Sequence, residues 1–138
     1  MLKIVLAIFL IAHGLVHTIL TLAPNPSDPD AKPVAFFTAM ERSWLLPQLG
    51  LNASTVRWTG IILVSFSTLG FILAGLGVLG VGGLNMIWRT VAVVSATVSL
   101  LLLILFWHPW IIIGVLVDIA VLITLLWAKW PQADLIGS

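Results

Sequence analysis

Two histidines, His13 and His17, lie four residues apart in "AHGLVHT", inside the apolar run that opens the chain. A single carboxylate, Asp118, lies inside another apolar run near its end. An ionisable side chain at mid-membrane costs at least about 2.5–3.5 kcal/mol on insertion scales and marks a functional site by default. The i,i+4 spacing puts both imidazoles on one helix face. Gly14, between them, leaves room for another helix or a flat ligand. An imidazole and a carboxylate together can relay a proton or serve as general acid and base. They also make a candidate metal site with His13 and His17 as ligands, and neutral imidazole can ligate haem. Against the metal stand the missing third strong ligand and the missing glutamate of an H-E-x-x-H motif. Against the haem stands the lack of a second histidine pair on a facing helix. The plain alternative is that His13 and His17 bond to Asp118, to serines or to backbone carbonyls and pin helix register.

What these residues can do depends on the elements that carry them. Of 138 residues, 61% are hydrophobic and 8% charged, where a soluble domain carries about 25% charge. Such a chain cannot cover its own surface with polar groups, so it reads as one integral membrane domain over 1–138 whose first partner is the lipid bilayer. A net charge of +1 and no Lys/Arg cluster argue against a nucleic-acid partner. The absence of cysteine excludes disulfides and thiolate sites.

Crossing the hydrocarbon takes roughly 20 apolar residues. Four runs qualify, at about 2–23, 55–80, 84–107 and 110–130. The expected fold is all-α: an antiparallel four-helix transmembrane bundle with a short interfacial amphipathic helix in the first loop, 24–54. The first run is longer than the roughly 7–15 apolar residues of a signal peptide and ends in "LAPNP" with no A-x-A site, so it reads as a retained span. The tryptophans agree with this division, since Trp prefers the two interfaces. Trp44, Trp58, Trp107 and Trp110 fall at span ends on one side, and Trp88, Trp127 and Trp130 on the other. An even number of spans puts both termini on one side. Lys and Arg are level across the two sides, and the N-terminal amine tips the termini toward the cytoplasm.

The connections differ in kind. "GVGG" (80–83) is a glycine turn and "WHPW" (107–110) a proline corner. In the first loop, "PNPSDPDAKP" cannot be regular helix. The following "VAFFTAMERSWLLPQLG" places Phe37, Met40, Trp44 and Leu45 on one face, as an interfacial helix or a lid over the bundle end would. "NAS" (52–54) matches a glycosylation sequon, but Asn52 or Ser54 is better read as the cap of the second span. Gly60, Ser67, Gly70, Ala74 and Gly77 make the second span a close-packing helix, within the bundle or in a homodimer.

With about 1.5 Å of rise per residue, His13 is near the midplane and His17 roughly 6 Å toward the loop side. Asp118, on a helix running the other way, is roughly 3 Å toward that same side. It falls between the two histidines in depth, so an Asp–His contact is available if the first and fourth helices touch. Ser65, Ser67, Thr68, Ser95, Thr97 and Ser99 sit at similar depth and extend the polar cluster. His108, at the proline corner, reads as structural, and Arg57 and Arg89 can snorkel from helix ends.

"AHGLVH" in the first helix, "SWLL" before "LGL", "GFILAGLG" in the second helix and "FWHPW…G…D" into the fourth resemble a family of small prokaryotic four-helix integral membrane proteins with no known activity. The resemblance implies a prokaryotic cytoplasmic membrane and supports the span count. It carries no cofactor and no catalytic residue. The four-span size is also similar to that of DoxX-like membrane proteins, without a shared motif. Two functions from different classes remain open. One is a non-enzymatic accessory subunit of a membrane-protein partner, or a small homo-oligomer. The other is a membrane-embedded binding protein or enzyme that holds a hydrophobic small molecule, a quinone, a haem or a metal at His13, His17 and Asp118. A channel or transporter ranks below both, because one acidic residue and no internal repeat make a thin ion path.

Overall fold

The computed structural model describes residues 1–22 and 36–132, and among these every regular element is helical. The long helices are α1 (Leu2–Leu22), α2 (Ala53–Leu79), α3 (Trp88–Leu105) and α4 (Ile112–Leu122), the last continued by one π turn over Ile123–Trp127. By length and composition, four helices, the fourth counted from Pro109 to Trp127, are long and apolar enough to cross a membrane. The four expected runs are thus all present, with ends set by local chemistry.

Asn52 starts α2. Its Oδ1 accepts from the Thr55 backbone N–H at 2.9 Å and from the Thr55 hydroxyl at 3.1 Å, satisfying donors that a helix start leaves free. Gly80 ends α2 with φ 87°, a left-handed position where a side chain is strained. Gly82 and Gly83 are left-handed as well, so a short 3₁₀ stretch, Val81–Met86, follows and α3 begins at Trp88 rather than near 84. At the proline corner the Trp110 backbone N–H donates to His108 Nδ1 at 3.2 Å, the structural role expected of that histidine.

The first loop departs from expectation. Its stretch 23–35, which includes the proline-rich segment, lies outside the described residues. Beyond it no amphipathic α-helix forms. Two single 3₁₀ turns, Met40–Arg42 and Pro47–Leu49, take its place. The cause is local competition for hydrogen bonds. Ser43 Oγ accepts from the Leu46 N–H at 3.2 Å and donates to the Leu105 carbonyl at 2.8 Å. Trp44 Nε1 donates to the Ile104 carbonyl at 2.7 Å. These side chains cap the free carbonyls at the end of α3 and bend the loop away from helical geometry. Of the expected face only Phe37 is buried, together with Phe36, Ser43 and Leu46, while Met40 and Leu45 are half-buried and Trp44 is exposed.

Close approaches fix how the helices pair. A Cβ on Gly14 would lie 2.8 Å from the Phe71 Cβ and 3.1 Å from the Thr68 carbonyl, and one on Gly75 would lie 2.9 Å from the Ala7 carbonyl. A Cβ on Gly77 would lie 2.6 Å from the Trp88 Cβ. Partner numbers rise along one helix as they fall along the next: Ala7 with Gly75, Gly14 with Thr68, then Gly77 with Trp88 and Gly70 with Ser95. The small residues of α2 are therefore spent on packing inside the chain. Trp88 begins its span as expected and is buried against α2.

Two apolar clusters fill the interior. One contains Leu10, Phe71, Ala74, Ala96 and Val121, and the other contains Val64, Leu102, Leu103, Phe106 and Phe37. In sequence, the gap between them on the long helices is occupied by His13 and His17, Thr68, Ser99 and Asp118. The polar residues thus form a layer between two greasy halves.

Gly14→Ala should destabilise the bundle by about 1–3 kcal/mol, the usual range for overpacking a tight contact, because both neighbours of the new methyl are anchored on α2. A lowered thermal midpoint in detergent, compared with the wild-type chain, checks it.

Candidate functional site

Each member of the polar layer is delivered by the buried side of its helix. On α1, Ala7, Leu10, Gly14 and His17 are the buried residues. Their spacing of three or four defines one stripe, and His13 lies at its edge with a side chain 10% exposed. On α4 the buried residues are Asp118 and Val121. On α3 they include Ser95, Ser99, Leu102 and Leu103. Asp118 and Ser99 are fully buried and His17 is 3% exposed.

The three residues singled out by type meet. His13 Nε2 and Asp118 Oδ1 are 2.8 Å apart. Asp118 Oδ2 is 2.5 Å from Ser99 Oγ, and Ser99 Oγ is 2.5 Å from His17 Nε2. His17 Nδ1 donates to the His13 carbonyl at 3.2 Å. The result is a chain of contacts that runs from α1 through α4 and α3 and returns to α1. Asp118 does fall between the two histidines, touching one directly and reaching the other through a hydroxyl.

Thr68 joins α2 to the layer. Its hydroxyl donates to the Gly14 carbonyl at 2.9 Å, so Thr18, at 3.0 Å, is the donor in the Thr18–Thr68 contact. Aromatic rings close the layer above and below. Phe71 meets the His13 ring edge-on at 4.8 Å between centroids. Phe37 from the lid stacks near the His17 ring at 6.0 Å and packs on Phe106. Thr21 bonds the His17 carbonyl at 2.8 Å.

Of the six serines and threonines at similar depth, only Ser99 enters the network. Ser95 and Thr97 bond back to carbonyls four residues earlier on their own helix, at 2.7 and 2.9 Å. Ser67 Oγ is buried without a partner among the described residues. Spacing gives no means of choosing among them. Ser99 is selected by the rotation of α3, which the Gly70–Ser95 and Gly77–Trp88 approaches set. Thr18 had a weak signal: it is the residue four beyond Gly14 on the close-packing stripe.

Seen as a metal centre, His13, His17 and Asp118 offer three ligand atoms that lie within 4.8 Å of one another. Seen as a ligand pocket, the layer has grooves at its Thr68 side rather than at its histidines. Grooves of about 360 Å³ beside Thr18, Thr21 and Thr68, and of about 430 Å³ beside Phe66, Gly70 and Ser95, border neither histidine nor Asp118. Near the start of α3, Arg89 donates to the Lys129 carbonyl at 3.4 Å and to the Pro131 carbonyl, and its guanidinium lies over Trp88.

Comparison with protein families, with curated proteins and with solved structures finds no match for this chain. Four apolar helices and a His/His/Asp site are what define it.

His13→Leu and Asp118→Leu should each destabilise the protein, because each leaves the other residue's polar atom buried without its partner. The double variant should be less damaging than the two costs together, with a coupling of about 0.5–3 kcal/mol. Unfolding of the four proteins in mixed micelles measures it, and strict additivity would mean that the two side chains do not interact.

Proposed function

We propose that this chain is a non-enzymatic integral membrane protein that works through assembly, as an accessory subunit of a larger membrane complex or as a small homo-oligomer, with the polar layer as its internal lock. The observation that carries this reading is the closure of the network. Both oxygens of Asp118 and both nitrogens of His17 have partners on the chain itself. A lock of this kind suits lipid, where no hydrophobic driving force brings helices together and close packing and interhelical hydrogen bonds must do so. The outward faces support the membrane: Ile8, Phe66, Leu69, Ile113 and Leu116 are all well exposed. The residues that touch a partner are drawn from such surfaces and the loops, since the small-residue stripe of α2 is already used.

The competing reading, a cofactor held at His13, His17 and Asp118, has the closeness of three donors in its favour. Charge weighs against a divalent ion. Asp118 is the one carboxylate in the layer, so the ion would leave an uncompensated positive charge in an apolar interior, which is costly. Space weighs against haem or a quinone, because the rings of Phe71 and Phe37 already pack on the imidazoles. Gently purified protein should be colourless and hold no stoichiometric metal. A chromophore or a metal present at one per chain, and lost in Asp118→Leu and in His13→Leu/His17→Leu, would overturn the lock in favour of the cofactor.

The membrane is proposed to be a prokaryotic cytoplasmic one, with both termini inside. The family resemblance supports the first and the N-terminal amine the second. Because the chain has no cysteine, single replacements report sidedness cleanly. Lys3 Nζ approaches Gly80, so the glycine turn shares the side of the N-terminus. In intact cells an impermeant thiol reagent should label Leu49→Cys and spare Val81→Cys. The reverse pattern would invert the topology.

A further inference from the structure

Four hydrogen bonds hold the network together: His13 Nε2 with Asp118 Oδ1, Asp118 Oδ2 with Ser99 Oγ, Ser99 Oγ with His17 Nε2, and His17 Nδ1 with the His13 carbonyl. Each requires one hydrogen. A carbonyl only accepts, so the last bond puts a hydrogen on His17 Nδ1. Two neutral imidazoles, a hydroxyl and a carboxylate bring three hydrogens to these bonds: one from each ring and one from Ser99. The fourth bond then has none. The Ser99 hydroxyl has a single hydrogen and two partners at 2.5 Å, Asp118 Oδ2 and His17 Nε2. If it donates to one, lone pairs face each other at the other. Among the described residues no further donor is bonded to Asp118, Ser99 or His17 Nε2, and Arg42 in the lid lies over the Phe36 ring. From α2, the Thr68 hydroxyl is committed to the Gly14 carbonyl and Phe71 is apolar. From the lid, Phe37 is apolar. Lys3, Arg57, Arg89 and Lys129 all sit at or near helix ends.

We propose that the network binds one proton beyond that complement, on its Asp118–Ser99–His17 arm, which makes the bundle core a proton-binding site. The charge balance agrees. One carboxylate plus one proton is neutral, the state that costs least in a buried layer, whereas a divalent ion overshoots. The proton has two resting arrangements. In the first, Asp118 Oδ2–H donates to Ser99 and the Ser99 O–H donates to His17 Nε2. In the second, the Ser99 O–H donates to Asp118 and His17 Nε2–H donates to Ser99. Passing from the first to the second breaks the Oδ2–H bond as a new Ser99 O–H bond forms, and breaks the original Ser99 O–H bond as an Nε2–H bond forms. The acid and imidazole become carboxylate and imidazolium, no hydrogen is gained or lost, and no heavy atom has to travel. His13 is the partly exposed member of the network and is therefore the side on which the store meets its surroundings.

The inference rests on the network being closed within one chain, as the lock does, but it fails separately. The test is the spectrum of the full chain in lipid vesicles near neutral pH, by infrared absorption and by nitrogen NMR of labelled histidine. His108→Gln, at the corner outside the network, clears the third histidine's resonances. One of two signatures is expected. Either a protonated-carboxyl stretch is present, disappears in Asp118→Asn, and accompanies a neutral His17 with its hydrogen on Nδ1. Or His17 carries hydrogen on both nitrogens beside an ionised Asp118. Ser99→Thr, which keeps the hydroxyl, should keep the signature, and Ser99→Ala should lose it. An ionised Asp118 with both histidines neutral, or with the positive charge on His13 alone, would overturn the proton site while leaving the lock standing. A signature that survives in Ser99→Ala would overturn the bridging role of the hydroxyl. Should that variant not fold, the wild-type spectrum still decides whether the proton is there.

Discussion

The structure turns on one buried carboxylate. Asp118 is fully buried in the middle of a helix whose other residues are nearly all aliphatic. In that setting its two oxygens must be satisfied by other helices, because an unsatisfied buried polar group costs more than the bond it would make. His13 takes one oxygen and Ser99 the other. Those two bonds tie α4 to α1 and to α3. Everything else in the polar layer follows from that: His17 is carried round to Ser99, and Thr68 meets the backbone beside Gly14.

Packing and polarity support each other here. In lipid, association rests on close contact and on interhelical hydrogen bonds. Gly14 and Gly75 bring α1 onto α2, and Gly70 and Gly77 bring α3 onto α2 from the other direction. Neither contact would place an imidazole within reach of a carboxylate on α4 unless the helices were also held at the right depth. The lid helps at the loop end, where Ser43 and Trp44 bond the last carbonyls of α3 and Phe37 covers His17. The loop that was expected to lie flat as an amphipathic helix is folded instead by the helix end it covers.

A closed network explains why residue types associated with catalysis do not make this chain an enzyme on sight. Two histidines and an aspartate can abstract a proton, bind a metal or hold a haem. Each of those roles needs an atom left unpaired and a space for the reactant. In this bundle both oxygens of Asp118 and both nitrogens of His17 have partners on the chain, and aromatic rings pack on both imidazoles. On the reading proposed above, the layer stores a proton and couples the helices mechanically.

The amino-acid sequence alone was enough for the four apolar helices, for the start and end of α2 and for the polar candidates. Those depend on local or one-dimensional facts: run lengths of apolar residues, Asn52 before a helix, Gly80 after one, and a 1.5 Å rise that puts Asp118 between His13 and His17 in depth. It could not say which way each helix turns. A helical repeat defines a face but not its neighbour, so Ser65, Ser67, Thr68, Ser95, Thr97 and Ser99 were equal candidates. Only the tertiary contacts of Gly70 with Ser95 and of Gly77 with Trp88 turned Ser99 inward. The same holds for the lid, where the amphipathic pattern over Phe37, Met40, Trp44 and Leu45 is real as a pattern. It gave way because the free carbonyls of Ile104 and Leu105, distant in sequence, offered Ser43 and Trp44 better partners than a helix of their own.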